Sequence, residues 1–156
     1  MKNKLKTYLI SIAIPLAVGG LSALLTMGNM DLYSEINSPP LAPPAWLFPV
    51  AWTVLYVLMG VSCAMILLTP APSAKKERAV AVYAASLVFN FGWSIIFFNL
   101  RAFFVAFAWL LILWAMILAT ILVYRPINKT AAYLQIPYLI WVAFAGYLNL
   151  AVAMLN

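Results

Sequence analysis

Polar and charged positions divide the chain into five long apolar runs: Tyr8 to Met27, Ala45 to Thr69, Ala79 to Leu100, Ala102 to Tyr124 and Ala131 to Leu155. Each supplies the ~20 apolar residues that a helix needs to cross ~30 Å of hydrocarbon. The intervals between them are short and leave no room for an extramembrane domain. The pattern therefore predicts an all-α membrane protein, a bundle of five transmembrane helices forming one domain over residues 1–156. Only residues 28–44 form a long loop, and it is rich in proline.

That loop feeds the second span through NSPPLAPPAWLFPVAWTVLYVLMG, residues 37–60, which holds five of the ten prolines and two of the six tryptophans. Pro39, Pro40, Pro43 and Pro44 have no N–H to donate, and each pushes the preceding residue out of the α region. Helix is excluded before Pro44, which suits a first helical turn. The stretch reads as a stiff strap entering a helix that carries Trp46, Trp52 and Tyr56. Two interpretations stand: a lid over a pocket for a flat apolar ligand, or an interfacial proline turn with a tryptophan anchor.

Composition reinforces the membrane reading. Apolar residues make up 67% of the chain, charged residues 8%, and the mean hydropathy is +1.05, against roughly 45–50% and ~25% in a soluble domain. The net charge of +6 is not spread evenly. Lys2, Lys4, Lys6, Lys75, Lys76, Arg78, Arg125 and Lys129 fall on one side of an alternating five-span chain, and Arg101 alone falls on the other. By the positive-inside bias the expected topology is N-terminus cytoplasmic and C-terminus outside. The basic residues lack the clustering with aromatics of a polyanion site, so no nucleic-acid partner is expected. The basic, apolar N-terminus resembles a secretory signal, but its 20-residue apolar run exceeds the usual h-region, and the first span is read as retained.

Candidate chemistry is sparse. The chain has no histidine and one cysteine, Cys63, which excludes an internal disulfide, a cysteine-based metal site and a His-centred acid–base mechanism. No metal is expected. Asp31 and Glu35 read as solvated loop charges. Within the spans, Asn90, Trp93 and Phe97 share one helical face. A carboxamide in hydrocarbon must face a neighbouring helix, a cavity or a ligand, and interhelical contact and ligand contact weigh equally for Asn90. The last span places Pro137, Trp141 and Ala145 on one side, with Asn149 as a second amide. In the first span Gly19 and Ala23 allow another element to approach closely, and Ala81 and Ala85 could do the same on the third. The fourth span, nearly devoid of polar residues, reads as the most lipid-facing wall.

Three segments carry a resemblance: PPLAPPAWLFPVAWTVLYVLMG, NFGWSIIFF in the third span, and PYLIWVAFAGYLN in the fifth. They resemble the tryptophan-rich sensory protein or translocator protein (TspO/MBR) family over nearly the whole chain. The resemblance implies a five-helix bundle in the plasma membrane of a bacterium, often a homodimer, that binds tetrapyrroles such as protoporphyrin IX and needs no cofactor. It implies a ligand site made of Pro43, Pro44 and Trp46 in the strap, Trp52 and Tyr56, Asn90, Trp93 and Phe97, and Trp141, Ala145 and Leu148. Tyr33 matches a loop aromatic of the family. The tryptophan expected before it is Leu32, and the basic residue expected before the first strap proline is Ser38. The basic residue that a sterol motif in the fifth span would require is absent.

Two functions follow as expectations. One is a receptor or carrier holding porphyrin stacked between Trp52 and Trp141, oriented by Asn90 and Asn149. The other is an enzyme that degrades porphyrin with light and oxygen, with Trp52 and Trp141 as the candidate catalytic residues. A proton-coupled transporter is disfavoured, because no ionisable relay lies within the spans.

Overall fold

In a computed structural model, residues 2–29, 32–35 and 39–156 are described, with only the backbone for Lys2, Tyr33 and Ser34. Asp31, Ser38 and the side chain of Tyr33 thus lie outside the described residues. Helix α1 spans Lys2–Thr26, runs unbroken through Pro15 and ends in a 3₁₀ turn, Met27–Asn29. A single turn, α2 (Leu32–Glu35), lies in the loop. Then follow α3 (Leu47–Leu68), α4 (Ser73–Ser94) with a π-helical turn at Ile95–Asn99, α5 (Phe103–Tyr124), α6 (Lys129–Leu134) and α7 (Ile136–Leu155). Five helical stretches, the fifth made of α6 and α7, are long and apolar enough to cross a membrane.

Local chemistry explains where the helices start and stop. The strap contains a turn closed by Ala42 N–H on the Pro39 carbonyl at 3.3 Å. Pro40 takes its first central position and Leu41, at φ 70°, its second, as in a type II turn. A further turn, Leu47 N–H to Pro44 carbonyl at 3.0 Å, delays α3 to Leu47. Pro49 falls in the first turn of α3, where its missing N–H has no partner to lose. Pro70 and Pro72 end α3, as expected, but α4 begins at Ser73, not near Ala79. The cluster Lys75, Lys76, Glu77 and Arg78, expected in a solvated turn, therefore occupies the first turns of a helix. Lys76 donates to the Leu67 carbonyl at 2.9 Å and so covers an open end of α3. Asn128 caps α6 by accepting from Ala131 N–H at 3.1 Å, a structural use for the first residue of the Asn-Lys-Thr triplet. Pro137, near the start of α7, accounts for the break at Gln135.

The helices form a ring in which α1 packs on α3, α3 on α6, α6 and α7 on α5, α5 on α4, and α4 back on α1. One end, the basic face, carries the lysine and arginine clusters, and the other, the strap face, carries residues 28–29, 32–35 and 39–44 and the α4–α5 turn. On the strap face Asn99 accepts from the Asn29 amide at 2.7 Å and donates to the Leu25 carbonyl at 3.0 Å. Arg101, in a tight turn at φ 51°, pairs with Glu35 at 3.1 Å, so the one basic residue outside the basic face meets a loop acid. This pair is about half exposed, and its worth is of order 0–1 kcal/mol.

One finding corrects the expected packing. The least buried span is α1, whereas α5 is held between α4 and α7. The small residues of α1 serve the chain's own α3: the Tyr56 ring lies where a methyl group on Gly19 would project, while Gly20 faces open space. Two backbones come close at Gly60, where an added methyl group would fall 2.6 Å from the Ser11 carbonyl oxygen and against Ile12 Cα. Ala81 is exposed and Ala85 half-buried.

Gly60→Ala is expected to cost about 1–3 kcal/mol by forcing α1 and α3 apart. Gly20→Ala should be neutral or slightly stabilising. Thermal unfolding of the two purified variants in detergent checks the contrast.

Candidate functional site

Residues four apart on α3 share a face, and this face presents Trp52 and Tyr56 with rings stacked at 5.6 Å and 27°. On α7, three-residue spacing presents Tyr138 and Trp141. The Trp52 ring meets both edge-on, Tyr138 at 6.3 Å and 73° and Trp141 at 6.3 Å and 89°. One turn before Trp52, Phe48 sets its ring at 6.0 Å and 68° to Trp141. Beyond Trp141 the rings continue through Phe144 at 5.8 Å to Tyr147. The Tyr147 hydroxyl donates to the Pro40 carbonyl at 2.6 Å, which ties the strap to α7.

Beneath these rings lies Asn90. Its carbonyl oxygen accepts from the Tyr56 hydroxyl at 3.0 Å, and its amide donates to the Tyr138 hydroxyl at 2.8 Å. Tyr56, Asn90 and Tyr138 are all buried, while Trp52 and Trp141 are half-buried. One polar atom of this group stands apart: Trp141 Nε1 is enclosed without a hydrogen-bond partner in the protein. Further toward the basic face, Ser62 donates to the Ala131 carbonyl at 2.7 Å and accepts from Gln135 at 3.2 Å, which joins α3 to the α6–α7 junction.

Trp93 and Phe97 belong to a second aromatic group. They stack at 5.2 Å, and Phe97 meets Phe103 at 5.0 Å. Leu32 and Val152 complete this group, so the leucine that stands where the resemblance expects tryptophan is a buried plug. Asn149 holds the group together by accepting from Trp93 Nε1 at 2.9 Å and donating to the Phe103 carbonyl at 2.8 Å. Both carboxamides that were candidates for ligand contact thus bridge helices.

Of the sequence-derived candidates, the structure brings Trp52, Tyr56, Asn90 and Trp141 together. Ala145 and Leu148 are buried on the same helix as Trp141. It does not bring in Trp46, 67% exposed, or Pro44, also exposed. The turn that delays α3 to Leu47 leaves both on the outer surface, as an interfacial anchor would be; Pro43 is half-buried. A parallel sandwich of porphyrin between Trp52 and Trp141 is also corrected, because those rings stand at right angles and touch each other. Two concavities, of about 310 Å³ beside Arg101 and Phe104 and about 370 Å³ between α1 and α4, lie elsewhere. Sequence reasoning missed Tyr138 and Phe48. The signal for Tyr138 was present: it follows Pro137 and precedes Trp141 by three residues.

The sequence profile of the TspO/MBR family matches residues 11–155. The chain belongs to the TspO/MBR family. It is 34% identical to the tryptophan-rich protein TspO of Chlorobaculum tepidum over 100% of this chain and 99% of that one. It is 33% identical to a tryptophan-rich sensory protein of Cereibacter sphaeroides, over 96% and 89% of the two chains. The translocator protein of Bos taurus is 35% identical over 87% of this chain and 82% of its own. Membership and the five apolar helices together make this TspO/MBR protein a multi-pass membrane protein.

Asn149→Leu keeps the branched side-chain skeleton but strands the Trp93 N–H and removes the interhelical bond to the Phe103 carbonyl. A loss of about 1–2 kcal/mol is expected, read as a lower unfolding midpoint.

Proposed function

We propose that this protein is a membrane receptor or carrier for a flat hydrophobic ligand of the tetrapyrrole class, bound against the aromatic cluster of α3 and α7. The observation that carries this reading is the Trp141 N–H, enclosed among rings with no acceptor in the protein. A buried donor left unpaired costs about 1–3 kcal/mol, and a ligand acceptor would recover it. The half-buried Trp52 and Trp141 offer ring faces for offset stacking. Because the two indoles stand at 89°, the ligand lies along one of them with the other at its edge. The cluster holds no side-chain charge, so stacking and a single N–H provide recognition. Relatives named translocator and sensory proteins agree with a role in binding or carriage.

Titration with protoporphyrin IX in detergent should quench tryptophan fluorescence. Trp141→Phe keeps an aromatic ring but removes the donor, and should weaken binding about 2–10-fold, the worth of one net hydrogen bond. Trp46→Phe should leave affinity unchanged. Equal affinity in wild type and Trp141→Phe would remove the proposed contact. Under illumination a carrier should lose porphyrin absorbance no faster than a buffer control. Loss beyond one equivalent that depends on Trp52 and Trp141 would replace this reading with the photodegrading enzyme.

A further inference from the structure

We propose that Asn90 and Tyr138 are positioning residues: through the two tyrosine hydroxyls, the Asn90 carboxamide sets the angle of the Trp52 ring against Trp141, and so the ring faces offered to a ligand. The ligand half of this statement rests on the reading just given.

Asn90 is 3% exposed, and its two ends are bonded to Tyr56 and Tyr138. Each phenol in turn touches Trp52, Tyr56 by stacking at 27° and Tyr138 edge-on at 73°. One side chain on α4 therefore holds a ring from α3 and a ring from α7, and both of those rings contact the Trp52 indole. A neutral amide suits this point, because it accepts at one end and donates at the other without bringing a charge into the bundle. Aspartate would present two acceptors and a charge, and leucine neither partner. The phenol oxygens matter for the same reason. Phenylalanine at 138 would keep the ring and its packing but lose the tether, leaving the ring free to slide and Trp52 without a fixed edge.

Near-UV circular dichroism of the full chain in detergent reads the fixed asymmetric packing of Trp52 and Trp141 without any ligand. The portion of the indole band lost in Trp52→Phe defines the signal. Asn90→Leu and Tyr138→Phe should each remove at least half of it while far-UV helicity stays the same. The double variant Asn90→Leu/Trp52→Phe should lose no more than Trp52→Phe alone. Asn149→Leu, which breaks the other amide bridge, should keep the signal. With protoporphyrin IX as probe, Asn90→Leu and Tyr138→Phe should bind about 5–20-fold more weakly, the lower part of the range of a typical coupling between sites. A Trp52-dependent band retained in both variants overturns the proposal, as does weaker binding with an unchanged band, which would make Asn90 a direct ligand contact. If Asn90→Leu does not fold, Tyr138→Phe carries the same readouts. Loss of the band alongside a wild type that does not bind porphyrin supports the positioning role and overturns the ligand reading alone.

Discussion

Hydrocarbon supplies no hydrogen-bond partner, so a polar side chain within the spans is stabilised when it finds one in another helix. That constraint organises this bundle. Asn90 joins α4 to α3 and α7, Asn149 joins α7 to α4 and α5, and Ser62 with Gln135 joins α3 to the α6–α7 junction. Apolar contact alone cannot choose a register, because lipid tails are as apolar as leucine. A few polar bridges make one arrangement of five oily helices better than its neighbours, and they fix the heights at which the aromatic residues meet.

Helix α3 is where these constraints converge. Gly60 allows it to press on the α1 backbone, Tyr56 fills the space left by Gly19, and Ser62 holds α6. With two sides so fixed, its Trp52 is presented toward α7. There backbone approach between α3 and α7 is sparse, and large rings fill the interval instead. The aromatic cluster thus lies where two helices are kept apart by their own side chains.

Much of the fold was legible in the sequence because hydrocarbon thickness imposes one length on every span. The boundaries that shifted did so for local reasons. Lysine, glutamate and arginine are good helix formers, so charge alone did not end a helix at residues 73–78. Trp46 illustrates the limit at the site. A tryptophan beside proline has the same composition whether it lines a pocket or anchors an interface, and only the turn from Pro44 to Leu47 decides which. Tyr138 was overlooked because a tyrosine in an apolar run looks like a member of the interfacial belt. Its partner Asn90 lies 48 residues away, a separation that helical periodicity does not span. The right angle between Trp52 and Trp141 was equally out of reach, since spacing fixes which rings face each other but not how they are turned.

The bond from Tyr147 to Pro40 has a mechanical meaning. Tyr147 sits six residues past Trp141 on the same rigid rod, a rise of ~9 Å. Any outward swing of that rod that separates its indole from Trp52 must pull on the proline segment as well. Strap and α7 are thereby coupled, and displacing one without the other breaks this hydrogen bond.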